Sequence, residues 1–283
     1  MNFNEYDEET TTRCRRALVT FLGDVGFWHD RVYLVGGLAP GFLVPEASAH
    51  VGSADIDVVV SISVDGGPPD TYYTLATNLV RAGFTQSEPS FRWTRNVGNV
   101  DVVLELLGES PDGGQPGRVF HPRDERTGSG LSLLHIPGAA LVSRDYIERE
   151  VEEERLDGGG RSRITVRVAN ILSLTVLKVR AFQERHKNKD AYDIVFSILN
   201  FAEGPEEAGR VAARSEIAND EMVVQALALL GRRFKEVDDD GPAAYANFMA
   251  PESRDEDARR RLEAVVAVEQ FLQSFATASG REI

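Results

Sequence analysis

A chain of 283 residues that is 42% hydrophobic and 27% charged has an ordinary globular composition and room for one large domain or two modest ones. Its formal net charge of −14 at pH 7 disfavours a protein that coats nucleic acid non-specifically, and no apolar run approaches the roughly 20 residues of a membrane span. The opening MNFNEYDEETTTRCRR is acidic and polar, unlike a signal peptide, and the single cysteine, Cys14, cannot close an internal disulfide, so the expectation is a cytoplasmic protein with no membrane partner and a buried, inert thiol.

Residues 8–23 carry Ala17, Leu18, Phe21 and Leu22 at helical spacing after a Thr-rich start able to cap a helix. Phe27 and Trp28 pack that helix onto a sheet whose first strand is 32–35. The Gly36-Gly37 turn follows, then a short helix over 38–44 stopped by Pro45. A small polar loop, 46–54, delivers Asp55 to a strand ending Val58-Val59-Val60. Asp65-Gly-Gly-Pro-Pro marks a turn, and Tyr72, Leu75, Leu79 and Val80 predict a helix over 71–82. Strands are expected at 91–95, at 100–107 (VDVVLELL) and at 131–136, with an exposed Gly/Pro-rich loop over 109–117 between the last two. Residues 148–155 read as a charged, solvated stretch, Asp157-Gly-Gly-Gly160 as a flexible break, and 163–168 as one more strand. Beyond Ala169 the pattern is helical, with helices predicted at 170–185, 188–200, 206–214, 216–230 and 254–276. The order predicts an α/β or α+β fold: a mixed sheet with packed helices over 1–160, then a mostly helical domain over 161–283.

Two constellations carry chemistry. Asp55 and Asp57 are two residues apart in an extended segment, so their carboxylates share a face. A Gly-Gly turn about 20 residues upstream (Gly36, Gly37) lets backbone approach a phosphate. Paired carboxylates beside such a turn suit a divalent metal carrying a nucleotide. Asp101, in an otherwise apolar strand, is the expected third ligand. Glu105, on the same face with Asn99 and Val103, is the weaker candidate. The second constellation is KVRAFQERHKNKDAYD, residues 178–193, where Lys178, Ala181 and Arg185 share a helix face and Lys189, Asp190 and Asp193 follow. A triphosphate needs cations of this kind besides its metal. His50, His121, His135 and His186 form no ligand spacing and read as structural or surface residues.

The joint pattern of Gly36-Gly37 with Ala39, Ser53-Ala54-Asp55-Ile56-Asp57, and Lys178, Ala181, Arg185, Lys189-Asp190 and Tyr192-Asp193 resembles the AbiEii/AbiGii-type nucleotidyltransferases of bacterial abortive-infection and toxin–antitoxin systems, within the polymerase-β-like nucleotidyltransferase superfamily. The resemblance covers residues 33–199. One departure is Gly-Gly-Leu where many members have Gly-Ser, so no hydroxyl assists the phosphates there. The resemblance implies a nucleotidyltransferase fold and transfer of an NMP from an NTP, with Mg²⁺ (or Mn²⁺), to an acceptor hydroxyl. It implies catalytic roles for Asp55, Asp57, Asp101, Lys178 and Asp190, with the first three as metal ligands. It implies nucleotide contacts from Gly36, Gly37, Ser53, Lys178, Arg185, Lys189 and Asp193. For Asp190 and Asp193 an equally physical role is to orient Lys189 or Arg185. The acceptor expected is RNA, most plausibly a tRNA end, docked by Arg161, Arg163, Arg167 and the basic stretch 183–189, in a toxin or effector with a cognate antitoxin. The alternatives are transfer to a protein side chain or a small molecule, or a non-catalytic binding partner that keeps the fold.

Overall fold

The computed structural model describes residues 3, 8–47, 50–61, 74–97, 100–122, 130–156 and 158–280. The predicted turn at 65–69, the first residues of the predicted helix at 71–82, Asn99, Asp157 and the side chain of Phe27 lie outside the described residues. The chain divides into two compact units. One contains Glu8–Leu38 and Ser53–Val168; the other contains Ala39–Gly52 and Ala169–Ile283. The division therefore falls at 168/169 rather than 160, and a segment of the N-terminal half belongs with the C-terminal helices. The reason for the later boundary is that residues 161–169 pair with the sheet.

The first unit holds α1 (Glu8–Asp24), β1 (Val32–Val35), β2 (Asp55–Val60), α3 (Leu75–Arg81), β3 (Thr85–Ser87), β4 (Arg92–Val97), β5 (Val100–Gly108), β6 (Val119–Phe120), β7 (Leu133–His135), β8 (Tyr146–Glu154) and β9 (Arg161–Ala169); α2 (Ala39–Leu43) belongs to the other unit. Among the described residues, nine strands form one mixed sheet in the order β3-β4-β5-β2-β1-β9-β8, with β7 also paired to β5 and β6 to β7. Strand β1 lies inside the sheet between β2 and β9, and all four of its residues are buried, as an unbroken apolar run demands. Helix α1 buries Cys14, Ala17, Leu18, Phe21 and Leu22 along one stripe and meets β2, β5 and β8. Asn78 of α3 donates to the Val25 carbonyl at 2.9 Å, tying α3 to the end of α1.

Residues 148–155, expected as a solvated stretch, are mostly β8, the edge strand. Its Glu148, Glu150, Glu152 and Glu154 are exposed while Val151 is buried. That alternation is an edge-strand pattern, in which charge blocks further pairing. Across the ladder Glu152 pairs with Arg161 and Arg163, and Glu148 with Arg167.

The second unit holds α2, α4 (Ile171–Arg185), α5 (Asn188–Asn200), α6 (Pro205–Arg214), α7 (Glu221–Arg233), α8 (Asp240–Met249) and α9 (Arg254–Ser279). Asn170, Asp220 and Ser253 cap α4, α7 and α9 through side-chain acceptors. Helix α7 starts at Glu221 rather than 216 because Asp220 is its cap. Helix α8 lies within 231–253, where no helix was expected. Phe248, Phe271 and Phe275 are fully buried. Gly209 lets α6 lie close on α9: a Cβ there would stand 2.3 Å from the Phe271 carbonyl oxygen. No helix among the described residues is long and apolar enough to cross a membrane.

Candidate functional site

Strand register fixes which carboxylates meet. Parallel pairing of β2 and β5 sets Asp55 opposite Val103 and Asp57 opposite Glu105. Paired residues point to the same side, so Asp55, Asp57 and Glu105 share one face. Their carboxylate oxygens lie within 4.8 Å of one another, and each residue is partly accessible. Asp101 is two residues earlier on β5, roughly 7 Å along a strand from Val103, and β2 begins only at Asp55. It faces Asn96 across β4, accepts that amide at 2.8 Å and is exposed. The third carboxylate of the group is thus Glu105, not Asp101. Sequence spacing gives the face of a strand but not its register, which is why the third carboxylate lies four residues further along β5 than expected.

Neighbours hold each acid. Ser53 Oγ donates to Asp55 Oδ1 at 2.5 Å. Arg92 Nε donates to Glu105 Oε1 at 2.7 Å, across the pair of β4 with β5. Gly36 adopts φ +68°, and a Cβ on it would fall 1.8 Å from Asp57 Oδ2. The turn after β1 is therefore glycine because Asp57 occupies the space a side chain would take. Gly37 follows it in the same turn and is buried. Behind this face, burial first, and then the negative charge of Asp55 and Asp57, push the Cys14 thiol up to about 12, in line with the expected inert thiol.

The donor set fits a hard divalent cation. Three carboxylates supply oxygen ligands of the kind Mg²⁺ and Mn²⁺ take. Arg92 offsets one of their negative charges and leaves the group acidic. His, Cys and thiolate ligands are absent from it, which disfavours zinc.

In the helical unit the second constellation folds into a buried ion network. Asp193 on α5 is wholly buried. It receives Lys178 Nζ at 2.5 Å, Lys189 Nζ at 2.9 and 3.1 Å, and His50 Nε2 at 2.9 Å. Asp190, also buried, is held in a two-pronged pair by Arg185, with Nε at 2.7 Å and a terminal nitrogen at 2.6 Å, and faces Lys178 at 3.5 Å. Burial alone would raise the Asp193 carboxyl, but Lys178, Lys189 and His50 hold it far below the usual carboxylate range. Burial pulls the Lys178 ammonium down, yet Asp193 and Asp190 outweigh it and leave its pKa raised. Lys189 is lowered, by burial first, with Lys178 opposing the attraction of Asp193.

Lys178, Lys189 and Arg185 thus pair with Asp190 and Asp193. Arg185 is half exposed, whereas Lys178 is buried. Sequence reasoning groups these five residues in one segment, where Asp190 pairs with Arg185 and Asp193 with Lys189. It misses His50. Nothing in spacing signals a bond to a residue 143 positions away.

The arginines expected to dock RNA are occupied. Arg161 and Arg163 pair with Glu152, and Arg167 with Glu148 and Asp30 while lying over the Tyr146 ring. These pairs cancel the basic patch that the sequence suggests at 161–167.

Comparison of the chain with family models, with curated proteins and with solved structures returns no match.

Proposed function

We propose that this chain is a divalent-metal-dependent nucleotidyltransferase that moves an NMP from an NTP to an acceptor hydroxyl. The observation that carries the reading is the meeting of Asp55, Asp57 and Glu105 on one sheet face, with Gly36 backbone against Asp57. The mixed sheet with packed helices agrees with a nucleotidyltransferase fold. The motif resemblance over residues 33–199 points to the same chemistry and to a toxin or effector role beside a cognate antitoxin.

A bound Mg²⁺ or Mn²⁺ would be held by Asp55, Asp57 and Glu105 and would supply the charge that a triphosphate and a departing pyrophosphate require. The chain's own groups prepare that site. Ser53 orients Asp55, Arg92 orients Glu105, and Gly36 leaves room beside Asp57. In the reaction the acceptor oxygen bonds to the α-phosphorus as the bond to pyrophosphate breaks, and a carboxylate of the group takes the hydroxyl proton. Within the helical unit Asp190 and Asp193 fix the geometry of Arg185 and Lys189.

The paired state of Arg161, Arg163 and Arg167 favours an acceptor gripped at one end over a long polyanion lying on the surface. The test is incubation with each of the four α-labelled NTPs and Mg²⁺ or Mn²⁺, in the presence of total RNA, total protein or small-molecule hydroxyl acceptors. Label on one acceptor class, lost in Asp57→Asn, supports the reading and names the class. Transfer by Asp57→Asn at the wild-type rate refutes the site. No transfer, together with no metal-dependent NTP binding by calorimetry, turns the assignment to a binding protein.

A further inference from the structure

Helix α9 turns one face to the core of the helical unit and leaves another open. Ala264, Ala267, Val268, Phe271, Leu272 and Phe275 are buried, and α5, α6, α7 and α8 of the same unit pack against the helix. On the open side Asp255, Arg259, Leu262, Val266, Glu269 and Gln273 are all exposed. They follow one another at alternating steps of four and three residues, the heptad spacing of a seam between two helices. Leu262 is 54% and Val266 40% exposed. Among the exposed large apolar side chains of the described residues, only these two share a helix face one turn apart.

The stripe is complementary to itself. Its midpoint falls at 264, between Leu262 and Val266. When a second copy is laid antiparallel about that point, Leu262 meets the partner's Val266, Arg259 meets the partner's Glu269, and Asp255 meets the partner's Gln273. Two-fold symmetry makes each contact twice. Like charges stay apart: the two Arg259 side chains are ten residues apart along the axis, roughly 15 Å, and so are the two Glu269 side chains. A parallel pairing in register would instead set arginine against arginine and glutamate against glutamate. Within one copy neither charge is firmly held. Arg259 reaches Glu256 at 3.7 Å with its side chain 70% exposed, and Glu269 accepts the neutral Gln273 amide at 3.0 Å. Beside the C-terminal half of the stripe a groove of about 430 Å³ opens between α6 and α9, with Gln270 and Gln273 on its wall. The same register lays the first turn of the partner's α9 along it.

We propose that the open face of α9 is a docking surface for a second copy of this chain, the two helices forming an antiparallel two-fold pair with Leu262 and Val266 at its centre and Arg259–Glu269 ion pairs on either side. Two apolar side chains from each copy make a small interface, of the size that gives a transient dimer. The surface lies wholly within the helical unit, and the proposal is independent of the nucleotidyl-transfer reading.

Sedimentation equilibrium of the full chain, from about 1 μM to about 1 mM, spans the range of weak association. The expected mass is that of one chain, 31.1 kDa, when dilute, and it rises toward twice that value with concentration. Leu262→Glu replaces an exposed side chain by a good helix former, so circular dichroism should match wild type while association weakens roughly tenfold or more. Arg259→Glu and Glu269→Arg should each weaken association roughly threefold or more. The double variant Arg259→Glu/Glu269→Arg should recover that loss, because the exchanged charges still meet across the two-fold axis. A single-chain mass at every concentration overturns the proposal and leaves the stripe to a different partner. A dimer that Leu262→Glu does not weaken is built on another surface and also overturns it. A double variant that associates no better than the single ones overturns the antiparallel register.

Discussion

Replacing Gly36 by alanine tests the tightest contact in the sheet unit. Two costs arise. The residue sits at φ +68°, where an L side chain costs about 1–2 kcal/mol. The new Cβ would also stand 1.8 Å from Asp57 Oδ2 and 2.6 Å from Asp57 Cβ. Turning Asp57 about χ1 moves the oxygen but not its Cβ, so a rotamer change cannot relieve the overlap. The backbone of β1 or β2 must shift where Val35 pairs with Asp57, and overpacking of this sort costs about 1–3 kcal/mol. The sum is roughly 2–5 kcal/mol, a large part of the 5–15 kcal/mol typical of a domain. Gly113 separates the two costs, because it adopts φ +70° with nothing within 4 Å of its Cβ. Urea unfolding followed by fluorescence of the buried Trp28 and Trp93 should show Gly113→Ala losing only the backbone cost and Gly36→Ala losing both. Equal midpoints for the two variants, or a Gly36→Ala midpoint matching wild type, would show that Asp57 does not abut the turn.

Other outcomes follow from the site. Glu105→Gln should weaken Mn²⁺ binding about tenfold or more by calorimetry, while Asp101→Asn leaves it within about twofold; the reverse order would restore Asp101 as the ligand. Asp193→Ala strands the buried Lys178 and should cost about 3–5 kcal/mol in urea unfolding at pH 7, against a change within error if the network were dispensable. The Asp193 carboxyl is lowered on folding from an ordinary 3.8, so its contribution is complete above that pH and is lost as pH falls below it. An Asp193→Asn variant should therefore show a flatter stability profile on acidification than wild type. Cys14, buried and pushed up to about 12, should resist thiol reagents at pH 8 until urea unfolds the protein; immediate stoichiometric labelling of the native protein would contradict its burial.

Much of the architecture is legible wherever one local pattern decides it. Helix α5 is found at 188–200 and α4 at 171–185, close to where their apolar periodicity puts them. Strand β5 reads clearly because Val102, Leu104 and Leu106 alternate as its buried face. Strand β8 was hidden by its charge, since four exposed glutamates dilute the single buried Val151. Long-range choices were the least visible. Asp101 and Glu105 are equivalent by alternation, and the register of β2 on β5, which sets Asp57 opposite Glu105, selects between them. His50 looked like an isolated polar residue in a loop because its partner is brought to it by α5. The arginines of β9 looked like a basic patch because their acidic partners lie on the neighbouring strand.

The assignment of Ala39–Gly52 to the helical unit has a consequence for how the chain is made. The polypeptide passes between the units several times, among them at 38/39, at 52/53 and at 168/169, so neither unit is a continuous stretch and no single cut releases one whole. On the ribosome His50 emerges 143 residues ahead of Asp193. Until then the segment lacks the carboxylate that anchors its imidazole, and the sheet residues on either side of it are already synthesised. Closure of the helical unit must wait for this late, long-range contact, whose loop-closure cost is set by the 143 residues between its partners. A fragment truncated before α5 would carry every strand of the sheet yet leave His50 without its anchor.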